Sequence, residues 1–226
     1  MLIVALDAVR ELERAETLSK IVESTSQYVS GFKIGVGVLL KHGLGVISTV
    51  KSISSRDVIV DLKLADIGDV MKSTLELVAS SGANAVIAHG FVGVSDALDK
   101  LIERARDLGV RVILVVSMSH RGSEEYIDKH SEELLRDATQ LGVHGVVVPA
   151  TKPWLITRAR SVLGSRVLIY SPGIGVQGAE PGDALCAGAD YEIIGRLVTT
   201  APDPLSAVKT VRSAQLEKVR ACRGFP

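Results

Sequence analysis

Short runs of β-branched and other apolar residues recur along the chain, separated by longer segments in which apolar residues return every three or four positions. Apolar runs of four to eight residues predict strands, and the longer spacing predicts amphipathic helices. The predicted strands are Leu2–Leu6, Val29–Ile34, Val58–Leu64, Ala85–Ala88, Val110–Val116, Gly145–Val148, Val167–Tyr170 and Tyr191–Ile194. The predicted helices include Glu11–Tyr28, Met71–Ser81, Val94–Leu108, Glu124–Leu141 and Pro153–Leu163.

Strand and helix alternate about eight times, with no linker and no shift in composition, which favours a parallel sheet covered by helices. Eight such units in 226 residues predict one α/β domain, a (β/α)8 TIM barrel over residues 1–226, with a short C-terminal tail from about residue 217. A doubly wound open sheet is the alternative. Its dinucleotide-binding form has a glycine-rich turn after the first strand, and Asp7-Ala-Val-Arg-Glu-Leu12 contains no glycine.

Composition excludes recognition driven by overall charge. Lys and Arg together number 26, as do Asp and Glu together, so no overall charge attracts nucleic acid or an anionic membrane, and any recognition driven by charge must be local. No apolar stretch approaches the ~20 residues that span a bilayer, and Met1–Leu6 is too short for a signal peptide. We therefore expect a cytoplasmic protein. Cys186 and Cys222 are isolated and lack metal-ligand spacing, so we expect both to be reduced.

The most informative feature is a charged cluster in a strand that otherwise reads as buried. Asp61 and Lys63 end the third predicted strand, and Asp66 follows three residues later. Alternate side chains of a strand share a face, so Asp61 and Lys63 are expected to point the same way. Because buried charges are costly even when paired, this cluster predicts a functional site.

Other polar residues follow the remaining strands, and in a barrel the carboxyl ends of all strands meet at one mouth, where catalytic groups are found. These residues are Asp7, Lys33, His89, Ser117-Met-Ser-His120, Ser171-Pro-Gly173 and Gly195-Arg196.

The last two loops predict a phosphate site. Ser171-Pro-Gly-Ile-Gly-Val-Gln-Gly178 follows strand seven and Ile193-Ile-Gly-Arg196 closes strand eight. Glycines let backbone N–H groups approach an anion, Arg196 adds a bidentate donor, and barrels often bind phosphate between loops seven and eight. The expected substrate is a small phosphate ester.

Together these motifs resemble the orotidine 5′-monophosphate decarboxylase family, in its compact prokaryotic form, over nearly the whole chain. The matching segments are Asp7, Phe32-Lys-Ile-Gly35, Asp61-x-Lys63-x-x-Asp66-Ile67, Met118-Ser-His120, Ser171-Pro-Gly-Ile-Gly-Val-Gln-Gly178 and Gly195-Arg196.

The resemblance implies the cofactor-free, metal-free decarboxylation of orotidine monophosphate to uridine monophosphate by a homodimer, the last step of pyrimidine nucleotide synthesis. Lys63 would be the general acid that protonates C6 of the ring, with Asp61 near the departing carboxylate. Lys33 would connect the charged groups and contact the ribose. Asp66 and Ile67 would reach the partner subunit's site.

The resemblance also implies the substrate contacts. Asp7 would bind a ribose hydroxyl, and Ser119 would form a hydrogen bond with the pyrimidine. Gln177, Gly195 and Arg196 would hold the phosphate. The other substrate-binding residues of the loop after strand seven would be Pro172, Gly173 and Gly175. One residue departs from the family pattern: Val70 stands where a threonine usually contributes to the partner's site.

Three alternatives stay open. Sugar-phosphate enzymes of the same superfamily, the 3-keto-L-gulonate 6-phosphate decarboxylases and hexulose phosphate synthases, need a Mg²⁺-binding carboxylate near the end of strand two, where this chain has Lys33. A non-catalytic nucleotide binder would have little reason to keep Lys63 between two aspartates. A Schiff-base aldolase would need an unprotonated amine, which neighbouring carboxylates disfavour.

Overall fold

Eight parallel strands pair in chain order, and the eighth pairs with the first, so the sheet closes into a barrel. The computed structural model describes residues 1–7, 12 and 14–224. Its strands are β1 Leu2–Leu6, β2 Gly31–Gly35, β3 Asp57–Leu64, β4 Ala85–His89, β5 Arg111–Val115, β6 Gly145–Val147, β7 Leu168–Pro172 and β8 Tyr191–Ile194. The predicted barrel is confirmed, and every predicted strand overlaps an observed one.

Helices connect the strands around the outside of the barrel. They are α1 Ala15–Thr25, α2 Val36–His42, α3 Gly45–Ser54, α4 Gly68–Ser80, α5 Asp99–Asp107, α6 Ser131–Leu141, α7 Pro153–Leu163, α8 Asp183–Ala187, α9 Arg196–Thr199 and α10 Pro204–Arg223. Short 3-10 turns cover Ser26–Tyr28, Gly90–Val92, Arg121–Glu125 and Ile127–His130, and a π turn covers Val94–Leu98.

Two apolar layers hold these elements together, because the strands of a parallel barrel are buried on both faces. The larger layer packs the outer face of the barrel against the helices. The smaller fills the barrel interior with Ile3, Ala5, Ile59, Ala85, Ile87, Ile113, Val115, Val147, Tyr170 and Ile193. This interior layer closes the barrel below its mouth.

Several helix boundaries differ from the predicted ones. The segment Val94–Leu108 is interrupted because Asp96 has a left-handed φ of 58°, and the α-helix begins at Asp99. The segment Glu124–Leu141 is broken at Tyr126, between two 3-10 turns, and its α-helix begins at Ser131. Helix α1 begins at Ala15, and Glu11, where we predicted its start, lies outside the described residues.

The C-terminal segment departs from two expectations. Beyond residue 217 the chain continues as α10 to Arg223. The expectation that both cysteines are reduced is wrong: Cys186 and Cys222 form a disulfide, with their Cα atoms 5.9 Å apart. The two cysteines are 36 residues apart in sequence, and the packing of α8 against α10 brings them within the usual Cα distance for such a bond.

No single helix among residues 1–7, 12 and 14–224 is long and apolar enough to cross a membrane. One pair, α2 with α3, reaches that length and composition only when taken together, and the two helices meet at 105°.

Candidate active site

Four charged side chains form a line across the mouth of the barrel. Nζ of Lys33 lies 2.8 Å from Oδ1 of Asp7 and 2.9 Å from Oδ2 of Asp61. Nζ of Lys63 lies 3.0 Å from each carboxylate oxygen of Asp61. The charges therefore alternate along the line, and each contact joins an ammonium to a carboxylate. We call these residues the charged line: Asp7, Lys33, Asp61 and Lys63.

The end of β3 is irregular where it presents Lys63. The pairing of β3 with β4 shifts register between Val60 and Leu64, and Lys63 has a left-handed φ of 48°. This conformation is uncommon for a residue other than glycine and persists only where the surroundings impose it. Its side chain nevertheless returns to Asp61, so the predicted common orientation of Asp61 and Lys63 is confirmed.

Burial and charge act against each other within the charged line. Lys33 and Asp61 are only 6% and 7% exposed. Burial alone lowers the pKa of Lys33, but Asp61 and Asp7 outweigh it and raise that pKa above its ordinary value. Burial raises the pKa of Asp61, but the two ammonium groups outweigh burial and hold it below its usual range. Both groups are therefore charged at neutral pH.

Gly35 provides the space for Asp7. A Cβ atom on Gly35 would lie 2.4 Å from Oδ1 of Asp7, closer than Cβ atoms approach a neighbour in real structures. That Oδ1 atom is the one that accepts the hydrogen bond from Lys33. A glycine at this position thus allows Asp7 to reach Lys33.

The charged line opens into a cavity of about 290 Å³ at the barrel mouth. Its floor is apolar and belongs to the interior layer, including Ala5, Ile87, Val115, Val147 and Ile193. The remaining wall carries the charged line and a mixture of polar and apolar side chains, mainly from the loops after β5, β7 and β8. An apolar floor with a few convergent polar groups is typical of a small-molecule site.

The loops after β7 and β8 provide neutral and cationic donors at one side of this cavity. Gln177 and Arg196 both line it and are exposed to solvent. Gly173 has a φ of 107°, a backbone conformation that favours glycine, and a Cβ there would lie 3.3 Å from Oε1 of Gln177. Donors of these types suit a phosphate group.

Most of the predicted site residues meet at this cavity. Those that line it are Asp7, Lys33, Asp61, Lys63, Ser119, Pro172, Gly173, Gln177, Gly195 and Arg196. Three others are not among its lining residues. Gly175 packs against Leu197, where a Cβ would lie 2.4 Å from Cδ1. Asp66 and Ile67 are exposed beside the start of α4, and Asp66 accepts a hydrogen bond from the backbone N–H of Ile67.

Sequence reasoning missed a second buried ion pair next to the cavity. Lys152 and Asp128 are paired behind the loop that carries Ser119. Lys152 follows strand β6, so its position at a carboxyl strand end was the available signal. The proline after it made the segment read as the start of a helix.

The chain has no obvious metal centre in its described part. Over residues 1–7, 12 and 14–224, no three or more His, Cys, Asp or Glu side chains are grouped so that they could hold a metal ion. The position near the end of β2, where a Mg²⁺-dependent sugar-phosphate enzyme needs a carboxylate, is occupied by Lys33.

Comparison with known proteins gives consistent matches. The family model described as "Orotidine 5'-phosphate decarboxylase / HUMPS family" matches residues 1–211. Among curated relatives, an orotidine 5′-phosphate decarboxylase from Aeropyrum pernix is 41% identical over 214 residues, which cover 92% of this chain and 86% of the relative. One from Methanosarcina barkeri is 38% identical over 216 residues, covering 96% and 94% of the two chains.

Solved structures match equally well. An orotidine 5′-monophosphate decarboxylase from Sulfolobus solfataricus superimposes with a TM-score of 0.86 at 34% identity, covering 96% of this chain and 98% of the other. The enzyme from Methanocaldococcus jannaschii, complexed with the inhibitor BMP, gives a TM-score of 0.87 at 28% identity, covering 95% and 97%.

Proposed function

Because the chain belongs to the orotidine 5′-phosphate decarboxylase / HUMPS family, we propose that it converts orotidine 5′-monophosphate to uridine 5′-monophosphate and CO₂ without a metal or cofactor. The observation that carries the proposal is the charged line, which presents an ammonium fixed by carboxylates at the mouth of the barrel. The curated relatives named above are orotidine 5′-phosphate decarboxylases.

Lys63 is the proposed proton donor. A carbanion at C6 of the pyrimidine cannot readily delocalise into the ring, so the transition state needs nearby positive charge. The Lys63 side chain is 40% exposed while its Nζ is held by Asp61, so it can reach a ligand without losing its anchor. A preorganised ammonium stabilises the developing charge and then donates its proton to C6.

Asp61 and Lys33 have different proposed roles. In this mechanism the Asp61 carboxylate lies beside the substrate carboxylate, and their repulsion is relieved as CO₂ leaves. Lys33 is buried between Asp61 and Asp7 and fixes both of them. Fixed geometry matters because a preorganised site does not have to reorient its charges during the reaction.

The remaining cavity residues are proposed to bind the nucleotide. Asp7, half-exposed at the end of the charged line, binds a ribose hydroxyl. Ser119 forms a hydrogen bond with the pyrimidine. Gln177, Gly195 and Arg196 hold the phosphate. Binding energy from a phosphate far from C6 can orient the ring for reaction.

A homodimer is the proposed active species, with Asp66 and Ile67 completing the partner's site. In the single chain Ile67 is 64% exposed and Asp66 lies outside the cavity. Other apolar side chains after the neighbouring strands β2, β3 and β4 are also exposed, which fits an interface there: Val36, Leu40, Val70 and Phe91. The cytoplasmic location stays a prediction.

Val70 removes the hydroxyl that the family usually supplies at this place. Thr74, one turn along α4, does not replace it, because its hydroxyl donates to the Val70 carbonyl oxygen 3.0 Å away. We therefore propose that this chain contacts the ribose region of the substrate more weakly than family members that have the threonine.

The absorbance change on mixing the protein with orotidine monophosphate in EDTA tests this function, with Lys63→Ala as the control. We expect conversion to uridine monophosphate in EDTA and its loss in the variant. Binding without turnover would contradict the proposal and favour a nucleotide-binding protein. Turnover abolished by EDTA would contradict the metal-free mechanism.

A further inference from the structure

A buried polar network lies directly behind the loop that follows β5. Nζ of Lys152 donates to Oγ of Ser123 at 2.6 Å and forms a short ion pair with Asp128. The two oxygens of Asp128 accept from Ser117 at 2.6 Å and from Ser123 at 2.9 Å. Nζ of Lys152 also donates to the Met118 carbonyl oxygen at 3.0 Å. The network thus connects the loop after β5 to the start of α7.

This ion pair is shielded from solvent. The side chains of Lys152 and Asp128 are each 10% exposed. Burial raises the pKa of Asp128, but hydrogen bonds from Lys152, Ser117 and Ser123 outweigh burial and lower that pKa. A buried ion pair is often no more stabilising than apolar residues of similar size, so its presence calls for a role besides stability.

The network holds residues 117–119, three consecutive residues that line the cavity. It holds the chain at the side chain of Ser117, at the carbonyl of Met118 and at the side chain of Ser123. Ser119 lies between these fixed points, is half-buried and lines the cavity. The short segment 119–122 is therefore held at both ends by groups that converge on Lys152 and Asp128.

We propose that Lys152 and Asp128 are positioning residues that fix Ser119 against the substrate's pyrimidine ring. The inference rests on the proposed function, because it assigns the ring to Ser119. Neither residue contacts the substrate. Lys152 is not among the residues that line the cavity, and it acts through the loop backbone and the two serines.

The test is a double-mutant cycle between Lys152→Met and Ser119→Ala, which measures coupling between the two positions. Decarboxylation gives kcat and KM separately, and calorimetry gives the affinity for uridine monophosphate. We expect Lys152→Met to lower kcat/KM at least ten-fold in the wild-type background and less than three-fold in the Ser119→Ala background. The same pattern is expected for nucleotide affinity.

Lys129→Met is the matched control, since Lys129 is exposed on the same 3-10 turn as Asp128. It should leave kcat/KM within two-fold of wild type. Lys152→Arg, which keeps the charge and the donors, should recover most of the activity. If Lys152→Met does not fold, Asp128→Asn retains an acceptor for Lys152 and takes its place in the cycle.

Equal losses in both backgrounds would overturn the inference, because a role in stability alone does not depend on Ser119. Wild-type kcat/KM in a folded Lys152→Met or Asp128→Asn variant would also overturn it. If the wild-type protein binds uridine monophosphate without decarboxylating its precursor, the proposed function has failed, and the binding cycle still decides whether Lys152 acts through Ser119.

Discussion

Lys63 lies two residues beyond Asp61 on the same strand, yet its ammonium is 3.0 Å from both oxygens of the Asp61 carboxylate. A left-handed backbone and a shift in strand register accompany this contact. Oδ2 of Asp61 also lies 2.9 Å from Nζ of Lys33. One carboxylate therefore contacts two ammonium groups.

Removing that carboxylate should destabilise the fold. Asp61→Ala leaves buried Lys33 with Asp7 as its remaining ion-pair partner, and breaking a buried pair costs about 3 kcal/mol. Urea unfolding at pH 7 measures the change. Asp57→Ala, at the start of the same strand and in a half-exposed pair with Arg111, is the control and should cost less than about 1 kcal/mol. A more stable Asp61→Ala variant would show that the charged line strains the native state.

The decrease in folding stability at acid pH should depend on the Asp61 carboxyl. The pKa of Asp61 is lower in the folded chain than its ordinary value of 3.8. A carboxyl of this kind contributes stability that is complete above the unfolded value and is lost as pH falls through the folded value. We expect the free energy of unfolding to fall below about pH 4.

Asp61→Asn gives the comparison for this pH dependence. The variant should be less stable than wild type at pH 6, and the difference should shrink toward pH 2 as the wild-type carboxyl takes up its proton. Urea unfolding at several pH values measures both curves. Parallel curves over the whole range would contradict the prediction.

Gly35→Ala should damage substrate binding. Its Cβ would displace Oδ1 of Asp7, which bonds to Lys33 and is proposed to face the ribose. Losing one hydrogen bond to a charged group corresponds to about 1.5 kcal/mol, or a rise in KM of about ten-fold. Steady-state kinetics measures the change. Gly45→Ala adds a Cβ with nothing within 4 Å and should leave KM unchanged.

Mixed subunits test the proposed dimer. Lys63→Ala and Asp66→Ala should each be inactive alone. After unfolding and refolding of an equal mixture, half of the dimers are hybrids with one intact site, so about one quarter of wild-type activity should return. No recovery, with hybrids detected by native mass spectrometry, would place Asp66 in its own subunit's site, and an active Asp66→Ala variant would place it outside any site.

The disulfide should stabilise the C-terminal helix and the whole barrel. Cys186 and Cys222 close a loop of 36 residues, for which the chain-entropy estimate is about 4 kcal/mol. Cys186→Ser should lower the free energy of unfolding by that order. Reduced wild-type protein should match the variant, and reductant should not affect the variant. Two titratable thiols in the native, unreduced protein would contradict the assignment.

The barrel and the charged line could be predicted because each depends on local pattern. Alternation of strand and helix leads to the barrel, and the barrel brings strand ends together. The left-handed backbone conformation of Lys63 could not be predicted, because no glycine or turn-forming residue at or beside this position indicates it. The disulfide could not be predicted from spacing because helix packing joins the two cysteines. The pair of Lys152 with Asp128 depends on a loop whose path has no periodicity.

The alternation of charge in the line Asp7, Lys33, Asp61 and Lys63 has an evolutionary consequence. The charges of these four residues sum to zero, and the two central residues, Lys33 and Asp61, are almost completely buried. Replacing either central residue alone leaves an uncompensated charge away from water. Evolution by successive single substitutions would therefore pass through destabilised proteins. Lineages that change this site must therefore exchange its members in pairs, and the site is expected to be inherited as a block.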